Sequence, residues 1–189
     1  MSNTLYLFVG KSASGKTSVA NFLEKKHGFK QVNSYTTRPP RYEGEIGHIF
    51  LNDEQFDNLG EIVAYTEYNG FRYGTTAEQL DQCQMYVVDV PGVKTLLEKY
   101  NTDRKIAILY FNSTICTRIN RMIDRGDSDM AIISRLLQDE KEDWHDALSD
   151  LVWNNRTYYG RYIYLHDMYV DDDFASVVAR VERYMGVYV

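Results

Sequence analysis

A glycine-rich segment near the N-terminus carries the residues best suited to chemistry in this sequence. Residues 10–17 read Gly-Lys-Ser-Ala-Ser-Gly-Lys-Thr and fit the phosphate-binding pattern G-x-x-x-x-G-K-[ST], between an apolar run at residues 5–9 and an amphipathic segment. Glycines let the backbone curl so that its N–H groups point at phosphate oxygens, and a following helix adds its positive N-terminal end. We therefore predict a nucleotide site in which Lys16 reaches the outer phosphates and Thr17 ligates magnesium.

Arginines elsewhere in the chain suggest where a second anion binds. Arg38 and Arg41 lie on a loop stiffened by two adjacent prolines, and such a pair can bind phosphate through paired hydrogen bonds. GTPases, ATPases and small-molecule kinases all use the same phosphate loop, so the loop alone does not separate them. Two basic groups in an acidic protein indicate two anionic ligands with a charged transition state between them. The second group consists of Arg118, Arg121, Arg125 and Arg135.

The composition limits the classes of protein to consider. A chain of 189 residues suits one compact domain with inserted flaps, and a formal net charge of −6 argues against a nucleic-acid or anionic-membrane surface. Only two cysteines occur, and no apolar run is long enough to span a bilayer or serve as a signal segment. We expect a cytoplasmic protein without nucleic-acid or membrane partners.

Apolar runs of strand length predict a three-layer α/β fold with a mostly parallel five-stranded sheet. Residues 85–90 and 105–111 are almost continuously apolar, as in parallel strands buried on both faces. Residues 29–32 and 162–165 add shorter strands, and the run at 5–9 leads into the phosphate loop. Helices covering both faces complete the three layers.

Other segments are predicted to surround the ligands. Residues 42–83 are punctuated by glycines and rich in aromatics, which indicates an inserted β-rich flap with a short helix near 53–59. Ser113 is the predicted N-cap of a later helix that carries Arg118 on its polar face. The next helix is predicted to bury Ile132, Ile133, Leu136 and Leu137, and the acidic residues 139–143 to form a solvated charged face.

The order of several short motifs resembles the guanylate kinase family. They run from residue 5 to about residue 137: the phosphate loop, Ser34-Tyr35-Thr36-Thr37-Arg38-Pro39-Pro40-Arg41 with Gly44-Glu45, Glu67 with Gly70 and Tyr73-Gly74-Thr75, Asp89 with Gly92, and Arg125-Gly126-Asp127 with Arg135-Leu136. The resemblance implies transfer of the γ-phosphoryl group of ATP to GMP or dGMP, with Mg²⁺ as cofactor. It implies a single domain over residues 1–189, as a monomer or homodimer. The core would comprise residues 1–33, 85–117 and 137–189, the GMP-binding flap about 34–84, and a short helical lid about 118–136.

The resemblance also implies a role for each matching residue. ATP would be bound by Gly10, Ser12, Ala13, Ser14, Gly15, Lys16, Thr17 and Ser18. GMP would be bound by Ser34, Arg38, Arg41, Glu45, His48, Glu67, Tyr73, Thr75 and Asp89, with Ser34, Glu67 and Thr75 reading the guanine. Catalysis would fall to Lys16, Arg38, Arg125 and Arg135, and Thr17 with Asp89, through water, would hold magnesium.

Three residues depart from the family pattern, and two other functions stay open. His48 stands where the family usually has a tyrosine, Pro91 where it has a glutamine, and Val87 where it has an acidic residue. His48 introduces a group that titrates near neutrality. The alternatives are a kinase of another phosphate ester, such as ribose 1,5-bisphosphate or a different nucleoside monophosphate, and a non-catalytic module that binds phosphopeptides.

Overall fold

The computed structural model describes residues 3–141, 143–159 and 162–187. Strands and helices alternate along most of the chain. In chain order the elements are β1 (Thr4–Val9), α1 (Lys16–His27), β2 (Ser34–Thr36), β3 (His48–Phe50), α2 (Asp53–Asp57), β4 (Ile62–Tyr68), β5 (Phe71–Thr76), α3 (Ala77–Asp81), β6 (Met85–Val87), α4 (Val90–Lys99), β7 (Lys105–Asn112), α5 (Ile115–Asp124), α6 (Asp129–Asp139), α7 (Trp144–Tyr159), β8 (Ile163–Tyr169) and α8 (Phe174–Met185).

Parallel pairing builds the central sheet, in the order β6-β1-β7-β8. The predicted α/β fold with a mostly parallel sheet is confirmed, but the sheet has four strands in the described part of the chain, where five were expected. The predicted strand at 29–32 contributes a single bridge between Gln31 and Met85. Its other contacts are loop hydrogen bonds, such as the one that the Val32 N–H donates to the Met85 carbonyl at 2.9 Å.

The side chains of β1 point alternately to the two faces of the central sheet, and they contribute to two apolar cores, one on each face. Leu5, Leu7 and Val9 pack with residues of α4 and α7. Tyr6 and Phe8 pack on the other face with residues of α1 and α8. Successive side chains of a strand point to opposite faces, so this strand must be apolar throughout to sit between two helical layers.

A second sheet, in the order β3-β2-β5-β4, contains both parallel and antiparallel pairs. It lies inside the segment predicted as the flap, and the helix expected near 53–59 is α2. The turn between β4 and β5 places Asn69 and Gly70 at positive φ, as a tight hairpin requires. The proposed limits of the flap, 34–84, and of the lid, 118–136, remain predictions.

The strand predicted at 85–90 ends earlier, at Val87. Asp89 is the N-cap of α4, and its side chain accepts a hydrogen bond from the Gly92 N–H at 2.9 Å. Pro91 lies in the first turn of that helix, where its missing N–H removes no hydrogen bond. The apolar run therefore spans a strand end and a helix start, which hydrophobicity alone does not distinguish.

Helices α5 and α6 differ from their predicted orientation. The N-cap of α5 is Thr114, because the Ser113 hydroxyl donates instead to Asp171. Arg118 is buried rather than on a polar face, and Asp139 is buried rather than part of a solvated face. On α6, Ile132 is buried, but Ile133 and Leu137 are exposed. Among the described residues, no helix combines the length and apolarity needed to cross a membrane.

Candidate active site

The loop between β1 and α1 is tightly folded because its backbone comes close to neighbouring groups. A Cβ atom at Gly10 would lie 2.7 Å from the Phe111 carbonyl oxygen and 2.9 Å from the Ser14 hydroxyl. Ala13 and Gly15 adopt positive φ angles of 59° and 97°, and Gly15 is the N-cap of α1. A positive φ at an alanine is unusual and is found at sites where the surroundings enforce it. The loop has the strand-before and helix-after context that the sequence pattern requires.

Lys16 is held inside this loop. Its Nζ donates hydrogen bonds to the Gly10 carbonyl at 2.5 Å, the Lys11 carbonyl at 2.9 Å and the Ser14 hydroxyl at 3.2 Å. Burial lowers the pKa of Lys16 to about 8, against the opposing influence of the Asp139 and Asp89 carboxylates. The loop therefore carries a buried amine whose charge depends on pH in the mildly alkaline range.

Two cavities meet at Lys16. One, which we call the flap cavity, lies between the phosphate loop and β4–β5 and is lined by Gly10, Ser12, Lys16, Ser34, His48, Tyr65, Thr66, Tyr68, Tyr73, Tyr86, Val87, Val88, Asp89, Gly92, Arg135, Asp139 and Trp144. The other, the helix cavity, runs along the start of α1 and is lined by Ala13, Ser14, Gly15, Lys16, Thr17, Ser18, Val19, Arg121, Arg125, Val170, Asp172, Phe174 and Val177. Lys16 lines both, so the two spaces adjoin at a cationic group.

Glu45 organises the predicted phosphate-binding arginines. It accepts hydrogen bonds from Nη1 and Nη2 of Arg38 at 3.1 Å and 2.8 Å, and from the backbone N–H of Arg41 at 2.6 Å. Burial would raise the pKa of Glu45, but these hydrogen bonds lower it overall. The Arg38 guanidinium also lies over the Phe50 ring, 5.4 Å from its centre. Glu45 thus fixes both arginines, and together with Arg41 it lines a cleft next to the start of α1.

Ser34, His48 and Tyr73 come together at the mouth of the flap cavity. The Ser34 hydroxyl and Nδ1 of His48 are 3.0 Å apart. The His48 and Tyr73 rings make an edge-to-face contact, with 5.7 Å between the ring centres. Burial, followed by the charge of Arg38, lowers the pKa of His48. The imidazole is therefore neutral at neutral pH, and the titratable charge expected at this position is not available there.

Glu67 and Thr75 are not among the residues that line the flap cavity. Tyr65, Thr66 and Tyr68 of β4 line the flap cavity, whereas Glu67 is exposed and accepts a hydrogen bond from the Tyr65 hydroxyl at 2.5 Å. The role of Glu67 in reading a base stays a prediction. Thr75 lies beneath the cavity wall, and its hydroxyl donates to the Tyr86 hydroxyl at 2.9 Å. Its contact with a ligand would be indirect.

Asp89 and the two predicted lid arginines border the same region. Asp89 lines the flap cavity, and burial raises the pKa of its carboxyl group. Arg125 pairs with Asp127, and Nε of Arg135 lies 3.6 Å from the same carboxylate. These arginines and Arg41 line a cleft that also contains Thr17, Ser18 and Ser34. The structure thus brings the lid arginines, Arg41 and the start of α1 to one space.

Of three further residues at the site, Arg118 and Arg121 were expected only as members of the second basic group, and Asp139 was not predicted as functional. Arg121 donates to the Val170 carbonyl at 2.6 Å and to the Ala13 carbonyl at 3.4 Å, and it lines the helix cavity. Arg118 and Asp139 form a buried ion pair beside the phosphate loop. Arg121 was grouped with Arg125 in the sequence, but no local pattern places Asp139 next to a loop 127 residues away.

Comparisons with known proteins find similarity to guanylate kinases along most of the chain. No family model matches the chain. A guanylate kinase of Alkalilimnicola ehrlichii is 27% identical over 96% of this chain and 87% of the relative, and one of Enterococcus faecalis is 28% identical over 98% and 94%. The crystal structure of guanylate kinase from Anaplasma phagocytophilum superposes with a TM-score of 0.55 at 15% identity, covering 97% of this chain and 84% of that one. The structural likeness concerns the fold.

Proposed function

Because the chain belongs to the guanylate kinase family, we propose that it transfers the γ-phosphoryl group of ATP to GMP or dGMP, giving ADP and GDP or dGDP. The observation that carries the proposal is the position of Lys16, which lines both the helix cavity and the flap cavity. A cation between two ligand spaces suits a reaction in which a phosphoryl group passes from one to the other.

The helix cavity is the proposed ATP site. It is lined by Ala13–Ser18 of the loop and first turn of α1, together with Arg121 and Arg125. Backbone N–H groups at the start of a helix bind phosphate oxygens, and arginine adds paired hydrogen bonds. Lys16 would contact the outer phosphates. Gly10 and Ser12 face the flap cavity and would border the transferred group.

The flap cavity and the adjoining arginine cleft are the proposed GMP site. Arg38, Arg41 and Tyr73 would hold the acceptor phosphate, with Glu45 fixing the two arginines. Ser34 and Asp89 line the cavity wall and are the polar groups proposed to read the base, whereas Glu67 does not line the cavity. A carboxylate accepts hydrogen bonds from the ring N–H and the exocyclic amino group of guanine, and adenine does not offer that arrangement.

Arg125 and Arg135 are the proposed charge-neutralising groups for the transition state. Charge spreads over the equatorial oxygens of the phosphoryl group during transfer, and positioned arginines lower the energy of that state. The acceptor phosphate is already an anion, so no residue need act as a general base. Exclusion of water by the flap and lid would direct the phosphoryl group to GMP rather than to solvent.

Mg²⁺ is the proposed cofactor, and the oxygen donors near Lys16 fit it. Among the described residues no three His, Cys, Asp or Glu side chains are grouped to hold a metal. In phosphoryl-transfer sites Mg²⁺ is held by one or two protein groups, with phosphate oxygens and water completing the shell. Thr17 would supply a hydroxyl and Asp89 would act through water. The ion would neutralise charge on the phosphates.

A coupled assay of ADP release tests the proposal. The protein is offered GMP, dGMP, AMP, UMP and ribose 1,5-bisphosphate at equal concentration with ATP and Mg²⁺. We expect turnover with GMP and dGMP at least about tenfold faster than with the others, as a base-reading site requires. Faster turnover with the sugar phosphate or with AMP would refute the guanine assignment. No ADP release with any acceptor, together with capture of phosphopeptides, would favour the binding module. Lys16→Met is the inactive control.

The proposal also covers the partners of the protein, its location and its assembly. The proposed partners are ATP and GMP, and the proposed location is the cytoplasm. Cys83 and Cys116 are free thiols in the structure, as in most proteins of a reducing compartment. Assembly as a monomer or a homodimer stays a prediction that light scattering can test.

A further inference from the structure

An ion pair links both helices of the proposed lid in the interior of the molecule. Nη1 of Arg118 on α5 lies 3.0 Å from Oδ2 of Asp139, the last residue of α6, and their side chains are 2% and 1% exposed. Nη2 of Arg118 donates to Glu140 at 2.6 Å. Buried charges of this kind are costly unless they are paired, so their presence calls for a reason.

The same carboxylate contacts the phosphate loop. Oδ2 of Asp139 accepts a hydrogen bond from the Ser12 N–H at 2.7 Å, and Oδ1 accepts one from the Ser12 hydroxyl at 3.2 Å. Glu140 pairs with Lys11 at 2.8 Å. Two successive loop residues are therefore tied to the end of α6, and Asp139 lines the flap cavity beside Lys16.

A carboxylate at this place conflicts with the charge of the proposed donor. ATP brings several negative charges to the loop, and a bare Asp139 would repel them. Arg118 cancels that charge, because it lies at hydrogen-bond distance and almost wholly out of water, where screening is weak. Asp139 and Arg118 also affect the Lys16 amine in opposite directions, which places both within electrostatic range of the phosphate-binding lysine.

We propose that Asp139 is a positioning residue that fixes Ser12 and the first half of the phosphate loop to the C-terminal end of α6, and that Arg118 is the counter-charge that lets ATP bind beside it. The proposal rests on the proposed function only in taking ATP as the loop's ligand. It makes the two members of one ion pair act on ATP affinity with opposite signs, which a pair that merely stabilises the fold does not do.

Equilibrium binding of ATP, measured by calorimetry without acceptor or turnover, tests this directly. We expect Arg118→Met to weaken ATP binding about tenfold, since it leaves a buried negative charge beside the phosphates. Asp139→Asn keeps an oxygen that can accept from the Ser12 N–H but loses the negative charge, so it should bind ATP about two- to threefold more tightly than the parent protein. The double variant, which removes both charges, should return to within about threefold of the parent value. Arg118→Lys keeps the charge and should bind ATP nearly as well as the parent.

A matched control separates charge from loss of a buried arginine. Arg104 donates hydrogen bonds to the Leu80, Thr4 and Cys83 carbonyls at the end of β1 opposite the phosphate loop. Arg104→Met should lower stability without changing ATP affinity. If Arg118→Met does not fold, the comparison of Asp139→Asn and Arg118→Lys with the parent still decides the question. Equal weakening by Arg118→Met and Asp139→Asn, or weakening by Asp139→Asn alone, would overturn the proposal. Unchanged affinity in all variants would assign the pair to the fold. A chain that binds ATP as expected but fails to phosphorylate GMP would refute the proposed function and leave this inference standing.

Discussion

The ion pair between Arg38 and Glu45 predicts a stability effect that is separate from catalysis. The two side chains are 9% and 6% exposed, and two hydrogen bonds of 2.8 Å and 3.1 Å join them. Removing one partner of a buried pair costs about 3–5 kcal/mol, because the other charge stays buried. Glu45 keeps its bond from the Arg41 N–H, so we expect the lower figure, about 3 kcal/mol, for Arg38→Met.

Thermal unfolding followed by circular dichroism measures this cost. For a chain of 189 residues, about 3 kcal/mol corresponds to a Tm lower by roughly 6–12 °C. Arg38→Met/Glu45→Leu replaces the pair with apolar side chains, and such replacements are commonly neutral or stabilising. We therefore expect the double variant to recover most of the lost Tm while it fails to turn over GMP.

The combination of the two readouts decides whether the reasoning holds. A Tm for Arg38→Met within about 2 °C of the parent value would show that the pair is not a buried anchor of the flap. Recovery of GMP turnover in the double variant would show that Arg38 has no direct part in binding the acceptor. If the double variant lost GMP turnover and did not recover the Tm, the flap would need the charges of Arg38 and Glu45 for its stability.

Three further predictions use single positions. Burial lowers the pKa of Lys16 to about 8, and the protonated amine is the form that attracts phosphate, so the affinity for ATP should fall as the pH rises past about 8. Titration calorimetry should find no such fall in Lys16→Met, and a parent affinity that stays constant up to pH 9.5 would contradict the reasoning. Glu67→Gln should leave the ratio of GMP turnover to AMP turnover unchanged, because Glu67 is exposed and does not line the flap cavity. A large fall of this ratio in the coupled assay would show that Glu67 takes part in reading the base. Thr75→Val should lower the free energy of unfolding, measured in urea, by about 1–3 kcal/mol, because it leaves the buried Tyr86 hydroxyl without its hydrogen-bond partner. An unchanged free energy of unfolding would indicate that another group bonds to the Tyr86 hydroxyl in place of Thr75.

The parts of the fold that follow from the sequence are those with strong local periodicity. The strand before the phosphate loop, α1 with its end at Gly28, the buried strand β7 and α8 could all be predicted because apolar spacing and capping residues agree there. The strand expected at 85–90 ends at Val87 in the structure. The sequence did not predict this end, because valines are equally compatible with a strand and with the first turn of a helix. The inward residues of α6 were misassigned for a related reason: a helix apolar on more than one side does not reveal which side is buried.

Some residues of the candidate site could likewise be predicted from the sequence, and others could not. The phosphate loop, Arg38 with Arg41, and Arg125 with Arg135 could be recognised from type and spacing. The exposure of Glu67 could not be predicted from strand alternation, since Tyr65, Thr66 and Tyr68 all line the flap cavity. The contact between Asp139 and Ser12 could not be predicted either, because it depends on how α6 packs against a loop far away in the chain. Charge patterns near residue 140 are typical of solvent-facing helices, and only tertiary structure shows the exception.

The position of β1 in the middle of the sheet bears on how the chain folds as it is synthesised. Residues 5–9 are all buried in the finished protein, yet their hydrogen-bond partners lie at residues 85–87 and 105–110. At a typical rate of about 5–20 residues per second, a ribosome needs roughly 5–20 s to make the roughly one hundred residues that separate β1 from β7. Until then an apolar strand with two unpaired edges is exposed to other chains. Folding limited by such distant pairing is slow, and loss of a β1 contact would therefore reduce the yield of folded protein before it changed any property of the finished site.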